Sequence, residues 1–412
     1  MQEEKGARKA RSGRPRLGVW LVGARGGLAT TVIAGTTAIG RDLASATGIL
    51  SETSLTEGID LTSLDRVVFG GHETREQGLV EAAMEINRES GTIPDPILRA
   101  IKTKLRAIDR EIRPGRLRGA GPTITRLCAG PDLLDHQAPR QALDILRDDM
   151  RGFMERKRLR RMVVVNLAST EPFAALHDCL GGLSTLRRAL ASRRPPRLTP
   201  ATLYALAALE AGCAFINFTP SRGATAPAVL ELARERNLPV MGNDGKTGET
   251  LVKSALAPMF KYRNLKVLSW QGYNILGDRD GAVLADRKNK ESKVATKDSL
   301  LPGILGYPLH THVGIDYVPS LGDLKTAWDF IHFRGFLDYR MAMQFSWHGC
   351  DAILAAPLVL DLARFAGLAL ARGEGGLLPW LSIYFKRPLG MAQEDLHRQW
   401  HSLTAYLERV RG

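Results

Sequence analysis

The sequence predicts an α/β protein: a doubly wound parallel sheet with helices on both faces, carrying an inserted second α+β domain. Three observations predict it. Short continuous apolar runs, such as Leu17 to Val22, Met162 to Asn166 and Pro239 to Gly242, have the composition of strands buried on both faces. Helical stretches alternate with these runs, which is the pattern of a parallel sheet. From Lys266 the texture changes to longer β-rich segments, as expected of a second sheet. The expected organisation is a disordered basic arm over 1–16, a nucleotide-binding domain over 17–250, a catalytic and oligomerisation domain over 251–351, and C-terminal helices over 352–412 that return to the first domain.

The first strand runs into Gly23-Ala24-Arg25-Gly26-Gly27 and then a helix through Thr30 to Ile39. Strand, glycine turn and helix open a dinucleotide-binding unit, because small residues let the backbone approach a pyrophosphate at the helix N-terminus. The spacing departs from G-x-G-x-x-G, so helix–strand packing explains the glycines as well. Residues 41–61 read as an irregular insertion. Asp65 to Glu73 is a second strand, ending in Gly70-Gly71, His72 and an acid. Helices follow over 77–89 and 96–111. Arg151 to Arg161 reads as a helix with a solvated basic face before the next strand, Met162 to Asn166. "AGCAFINFTPS" and "LPVMGNDGKTGE" repeat the pattern of a buried strand closed by small polar residues. These polar endings fall at C-terminal strand ends, where open parallel sheets bind ligands. Beyond them, "KVLSWQGYNILGDRDG" reads as a strand and a Gly/Asp loop. "HTHVGIDYVPSLGDLKTAWDF" reads as a strand, a turn and a helix. "YRMAMQFSWHGC" is another strand, and "DAILAAPLVLDLARFAGLALARG" is a long apolar helix that should be well buried.

Composition excludes several classes. The 412 residues carry a net charge of +14, with 44% hydrophobic residues. No apolar run approaches the roughly 18 residues of a membrane span, so no membrane partner is expected. The basic start lacks the apolar stretch of a secretory signal. Cys128, Cys179, Cys213 and Cys350 form no C-x-x-C pair, which fits a reducing cytoplasm and argues against a zinc ribbon. His397 and His401 lack the Glu of a metalloprotease helix, since Arg398 stands there, and His310 and His312 read as two side chains on one sheet face; no metal is expected. Basic residues are spread along the chain without aromatic interleaving, so no nucleic-acid partner is expected, and an anionic small molecule fits the charge.

Lysine is distributed unevenly. Of 15 lysines, nine lie between Lys246 and Lys325. Lysine's ammonium shifts its pKa readily on burial, which makes this stretch a candidate active site; a local basic surface is the plainer reading. Gly245-Lys246-Thr247 has the ending of a phosphate-binding loop, but Val240 stands where its first glycine belongs, so an ATP site is not expected.

The ordered set "GNDGKTGETLVKS", "GYNILGDRDG", "SKVATK", "GDLK", "GCDAILAAP" and "LSIYFKRPL" resembles the myo-inositol-1-phosphate (inositol-3-phosphate) synthase family, with a likeness reaching back to Leu17. The resemblance implies a Rossmann-type NAD-binding domain and conversion of D-glucose 6-phosphate to 1D-myo-inositol 3-phosphate by C5 oxidation, enolisation, aldol closure and re-reduction. It implies a cytoplasmic homotetramer assembled through the second sheet. By resemblance Lys293, Lys297, Lys325 and Lys386 match active-site lysines, with Asp323 and Asp351 as their acids. Gly23, Arg25, Gly26, Gly27, Glu73, Ala168, Ser169, Thr170, Asp244, Thr247 and Asp280 match cofactor positions. Arg25 is expected to contact pyrophosphate. Arg25, Leu28, Glu73 and "GDRDG" depart from the family pattern. For each Asp, a helix or turn cap is the plainer reading. The alternative activity is that of another NAD(P)-dependent dehydrogenase with net redox, acting on a phosphorylated sugar or small acid.

Overall fold

A computed structural model describes residues 16–128, 130, 133–172, 175–286, 300–391 and 395–411, with the side chain of Asp280 also outside the described set. The arm expected at 1–16 therefore lies, but for Arg16, outside the described residues.

The first strands are β1 (Leu17–Val22), β2 (Val67–Glu73), β3 (Ile112–Pro114), β4 (Arg161–Asn166), β5 (Ala214–Asn217) and β6 (Pro239–Gly242). They pair in parallel in the order β3-β2-β1-β4-β5-β6, with Leu17 flanked by Val67 and Arg161. This is the strand order of a Rossmann-type sheet. Alternate strand residues point to opposite faces. Leu17, Val19, Leu21, Val163, Val165 and Ile216 enter one core, under the helices Gly27–Ile39, Asp95–Asp109 and Asp351–Ala371. Trp20, Val22, Met162, Val164, Phe215 and Val240 enter the other, under the helices Pro139–Arg156, Pro200–Glu210 and Pro227–Glu235. Both faces are covered, which is why the strands read as unbroken apolar runs. Gly70 has a packing role: a Cβ there would come 2.8 Å from the Trp20 ring and 2.9 Å from Phe153.

The second sheet contains β7 (Lys266–Leu276), β8 (His310–Tyr317), β9 (Lys325–Arg334) and β10 (Arg340–Gly349), in the order β10-β9-β7-β8. Here the structure corrects the sequence reading. Lys325–Arg334 is a strand and not a helix, antiparallel to both β7 and β10. Ala327, Asp329, Ile331 and Phe333 are buried and their neighbours are less so, a period of two that holds aromatic and β-branched residues against the helix Gly248–Tyr262. The "GDRDG" segment is likewise not a loop: Asp278 caps the short helix Arg279–Leu284, accepting from the Gly281 N–H at 2.7 Å.

The helix Asp351–Ala371, expected from the sequence as long, apolar and buried, is also long and apolar enough to span a membrane by length and composition, although no apolar run of that length was expected. In the fold 72% of its apolar window is buried, and it packs as a core helix against β4 and the helix Gly27–Ile39. Its two buried charges hold the irregular segment 41–61 in place. Asp361 accepts the Leu50 and Ser51 N–H groups at 3.0 and 2.8 Å, and Arg364 donates to the Thr62 carbonyl at 2.8 Å and pairs with Glu52 at 2.6 Å.

The chain then adds β11 (Gly376–Leu377) beside β6, completing a seven-stranded sheet. The following segment runs along the exit of β6. Lys386 N–H donates to the Asp244 carbonyl at 2.7 Å, and Leu389 N–H to the Gly242 carbonyl at 2.8 Å.

Candidate active site

The C-terminal ends of β1, β2, β4 and β5 and the exit of β6 open into one cleft of about 580 Å³. At its β1 end is the glycine turn. Gly23 has φ +81°, and a Cβ there would lie 3.3 Å from Ala168 Cα. A Cβ on Gly27 would meet nothing within 4 Å, and no acid stands in the first turn of the helix it begins. Free N–H groups at the positive end of a helix dipole, approached without side-chain obstruction, form a cradle for a pyrophosphate.

Arg25, expected at the pyrophosphate, lines the cleft at this turn and is also held by the protein. Its Nε donates to Asp109 at 2.8 Å and its NH1 to the Arg75 carbonyl at 3.2 Å, so its guanidinium is held by the protein beside the turn. Its backbone N–H donates to Glu73 at 2.8 Å. The Glu73 carboxylate also accepts the Thr74 N–H at 2.7 Å and pairs with Arg75 at 3.1 Å. Burial pushes this carboxyl up, but Arg75 and the N–H donors outweigh it and leave it below its ordinary value. Glu73 thus braces the turn. Arg75 lines the cleft and was not singled out from the sequence.

Ala168, Ser169 and Thr170 line the cleft where β4 ends. Beneath them runs an asparagine ladder: Asn166 Nδ2 donates to Asn217 Oδ1 at 3.1 Å, and Asn217 Nδ2 to Asn243 Oδ1 at 2.6 Å. The ladder was legible in principle, since all three successive buried strands reach an Asn at their ends. Glu171, next along, is buried in the cleft wall and accepts from Ala201 N–H at 2.9 Å; burial lifts its carboxyl to about 7.

The far end holds the charged groups. Asp244, with φ +63°, places Oδ1 3.0 Å from Lys386 Nζ, while its buried Oδ2 has no partner among the described residues. Thr247 also lines the cleft. Gly248 follows, and a Cβ on it would stand 3.7 Å from Lys325 Nζ and 3.8 Å from Asp351 Oδ1. Lys325 and Asp351 pair at 2.7 Å. Asp323, also on the wall, receives Cys350 Sγ at 3.1 Å; burial raises its pKa. Lys386 lines the cleft, and Lys325 stands behind the lining residue Asp351. Ammonium groups so steadied by carboxylates can stabilise negative charge on a ligand's oxygens.

Lys293 and Lys297 lie outside the described residues. Asp280 is placed within the helix Arg279–Leu284, with its side chain outside the described set. The lysine-rich stretch serves more than one purpose. Lys253 is buried against Glu249 at 2.5 Å beneath the second sheet, and buried Lys246 donates to Gln399. Among the described residues, no group of three or more His, Cys, Asp or Glu is placed to hold a metal. The cradle at the glycine turn and the buried, unpartnered acceptor on Asp244 fit the two ends of a dinucleotide.

A family model described as myo-inositol-1-phosphate synthase matches residues 17–408. Inositol-3-phosphate synthase 1 of Bacteroides thetaiotaomicron is 33% identical, over 96% of each chain. Among solved structures, a myo-inositol-1-phosphate synthase-related protein from Thermotoga maritima superposes with a TM-score of 0.76 at 25% identity, covering 95% of this chain and 98% of that one. Inositol-3-phosphate synthase of Caenorhabditis elegans superposes with a TM-score of 0.84 over 97% of this chain and 86% of that one; at 22% identity this likeness shows the fold.

Proposed function

The chain belongs to the myo-inositol-1-phosphate synthase family, and on that premise we propose that it converts D-glucose 6-phosphate to 1D-myo-inositol 3-phosphate. NAD is its cofactor, and when bound it supplies the reversible oxidation at C5. Gly23, Gly26 and Gly27 hold the pyrophosphate, with Glu73 fixing the turn from behind. Ala168, Ser169, Thr170, Asp244 and Thr247 line the path to the nicotinamide end. The Asp244 Oδ2 atom offers an acceptor to the carboxamide.

Oxidation at C5 acidifies the C6 proton. Its transfer to the substrate's own phosphate leaves an enolate, and the C6–C1 bond forms as C6 attacks the C1 aldehyde, whose oxygen then takes up a proton. Each step places negative charge on an oxygen. Lys386 stabilises the C5 oxygen, and Lys325, held by Asp351, stabilises the C1 oxygen or the phosphate. Lys293 and Lys297 complete the cationic set by family resemblance, and Asp323 steadies it. Ammonium groups already paired and positioned need little reorganisation as the charge develops, which is where such sites gain most of their rate.

The single observation that carries this reading is the pair of lysine–carboxylate contacts at one end of a dinucleotide cleft, Lys386–Asp244 and Lys325–Asp351. Purified protein given glucose 6-phosphate and NAD should release inositol phosphate without net NADH. Steady NADH accumulation would instead identify a dehydrogenase.

Assembly as a cytoplasmic homotetramer through the second sheet belongs to the same proposal. In its support, Tyr273 and Trp328 are partly exposed on the sheet and Phe336 is 89% exposed beyond it, an apolar surface of the kind a partner subunit covers. Light scattering of the purified protein gives the subunit count.

A further inference from the structure

A second cavity, of about 300 Å³, lies beside the cleft and shares Arg116 with it. Arg116, Arg118, Arg197 and His136 contribute to its wall. Arg116 is 3% exposed, and its NH1 donates to the Leu134 carbonyl at 2.6 Å and the Gln137 carbonyl at 3.1 Å. Its Nε is buried with no partner among the described residues. The neighbouring acid, Asp135, already accepts the Leu117 and Arg118 N–H groups at 2.7 and 2.8 Å.

A helix end adds to the same field. The cap residue Ala138, whose N–H donates to Gln141 Oε1 at 3.3 Å, and Pro139, the first residue of the 18-residue helix Pro139–Arg156, line the cavity, so the helix contributes its dipole and not a direct N–H there; it has no acid in its first turn. The positive end of the helix dipole therefore meets three guanidinium groups. Arginine's planar fork suits phosphate oxygens in particular, and a volume near 300 Å³ holds a small molecule.

We propose that this cavity binds a small, multiply charged phosphate-bearing anion, at a site separate from the cofactor cleft. Arg116 forms the floor, with the helix N-terminus beside it, while Arg118 and Arg197 close over the ligand from the exposed side. The site does not depend on the reaction assigned above, so its test is a binding measurement.

Inorganic pyrophosphate is titrated by calorimetry into the full chain saturated with NAD. Wild type should bind it, less tightly as salt rises. The double variant Arg118→Gln/Arg197→Gln should bind it roughly tenfold or more weakly, since two charge-assisted contacts are lost. Both substituted residues are exposed, so melting temperature and NAD affinity should match wild type. A parallel titration uses the NAD-free chain, and three results would overturn the inference: no binding by wild type in either form, equal affinity in the double variant, or binding to the NAD-free chain that vanishes when NAD is present. The last would assign the anion to the cofactor cleft.

Discussion

Lys386 Nζ lies 3.0 Å from Asp244 Oδ1 although 142 residues separate the two in the chain. The side-chain contact is reinforced by the backbone bond from Lys386 N–H to the Asp244 carbonyl. Replacing Lys386 with Met should lower kcat by about 10²- to 10³-fold, the scale of losing one preorganised stabiliser of a developing oxyanion. NAD content should be retained. The Lys386→Arg variant should not recover turnover, since a planar fork does not reproduce a compact ammonium. Inositol phosphate release and NAD recovered after denaturation are the two readouts.

In the proposed function Asp244 serves the cofactor as well as Lys386. Asp244→Ala removes the buried Oδ2 acceptor and leaves the Lys386 charge uncompensated. The Kd for NAD should rise about tenfold, equivalent to ~1.4 kcal/mol. Titration followed by intrinsic fluorescence checks this; unchanged affinity would remove Asp244 from the cofactor site.

Glu171 gives a pH dependence of defined sign. Burial lifts its carboxyl from 4.5 to about 7 against the opposing pull of the Ala201 N–H and Thr199. A carboxyl raised in the folded state contributes stability that is complete below pH 4.5 and is lost as pH rises through 7. On this fully buried group the swing is on the order of 3 kcal/mol. Glu171→Gln keeps an acceptor for Ala201 without the charge. It should melt above wild type at about pH 8, with the difference shrinking as the pH falls toward the ordinary carboxyl value. A difference that grew on acidification would contradict a buried neutral carboxyl.

Asp361 ties the irregular segment 41–61 to the core helix. Asp361→Ala leaves the Leu50 and Ser51 N–H groups without their acceptor and removes a counter-charge from Arg364. Urea unfolding should show a loss of about 2–4 kcal/mol. The substituted residue lies outside the cleft wall, so the folded fraction should keep wild-type kcat.

The first sheet was largely legible because its strands are buried on both faces and stand out as apolar runs between helices. β9 was not. In "GDLKTAWDFIHFR" the Gly-Asp-Leu-Lys start imitates a helix beginning, while the alternation of Ala327, Asp329, Ile331 and Phe333 places an acid at a buried position. Local pattern cannot anticipate Trp270, which donates to Asp329 at 2.7 Å across the sheet and makes that burial tolerable. β11 has two residues and no signal of its own; it is defined by pairing with β6. In the site, the glycine turn and the lysines carried local motifs. The bracing of the turn by Glu73, the occupation of Arg25 by Asp109 and the presence of Arg75 on the wall arise from contacts between distant segments.

The order in which the chain is made has a consequence for when activity can begin. Domains tend to fold as they leave the ribosome, N-terminal parts first. Six strands of the parallel sheet, the glycine turn and Asp244 are all encoded before the second sheet starts, whereas β11 and Lys386 are encoded after it. A chain made only as far as Ala371 contains the residues of the glycine turn and Asp244 but not the ammonium that pairs with Asp244. The final segment therefore completes the site last: until β11 is laid against β6 and the chain runs on to Lys386, Asp244 lacks the cation it faces in the finished fold.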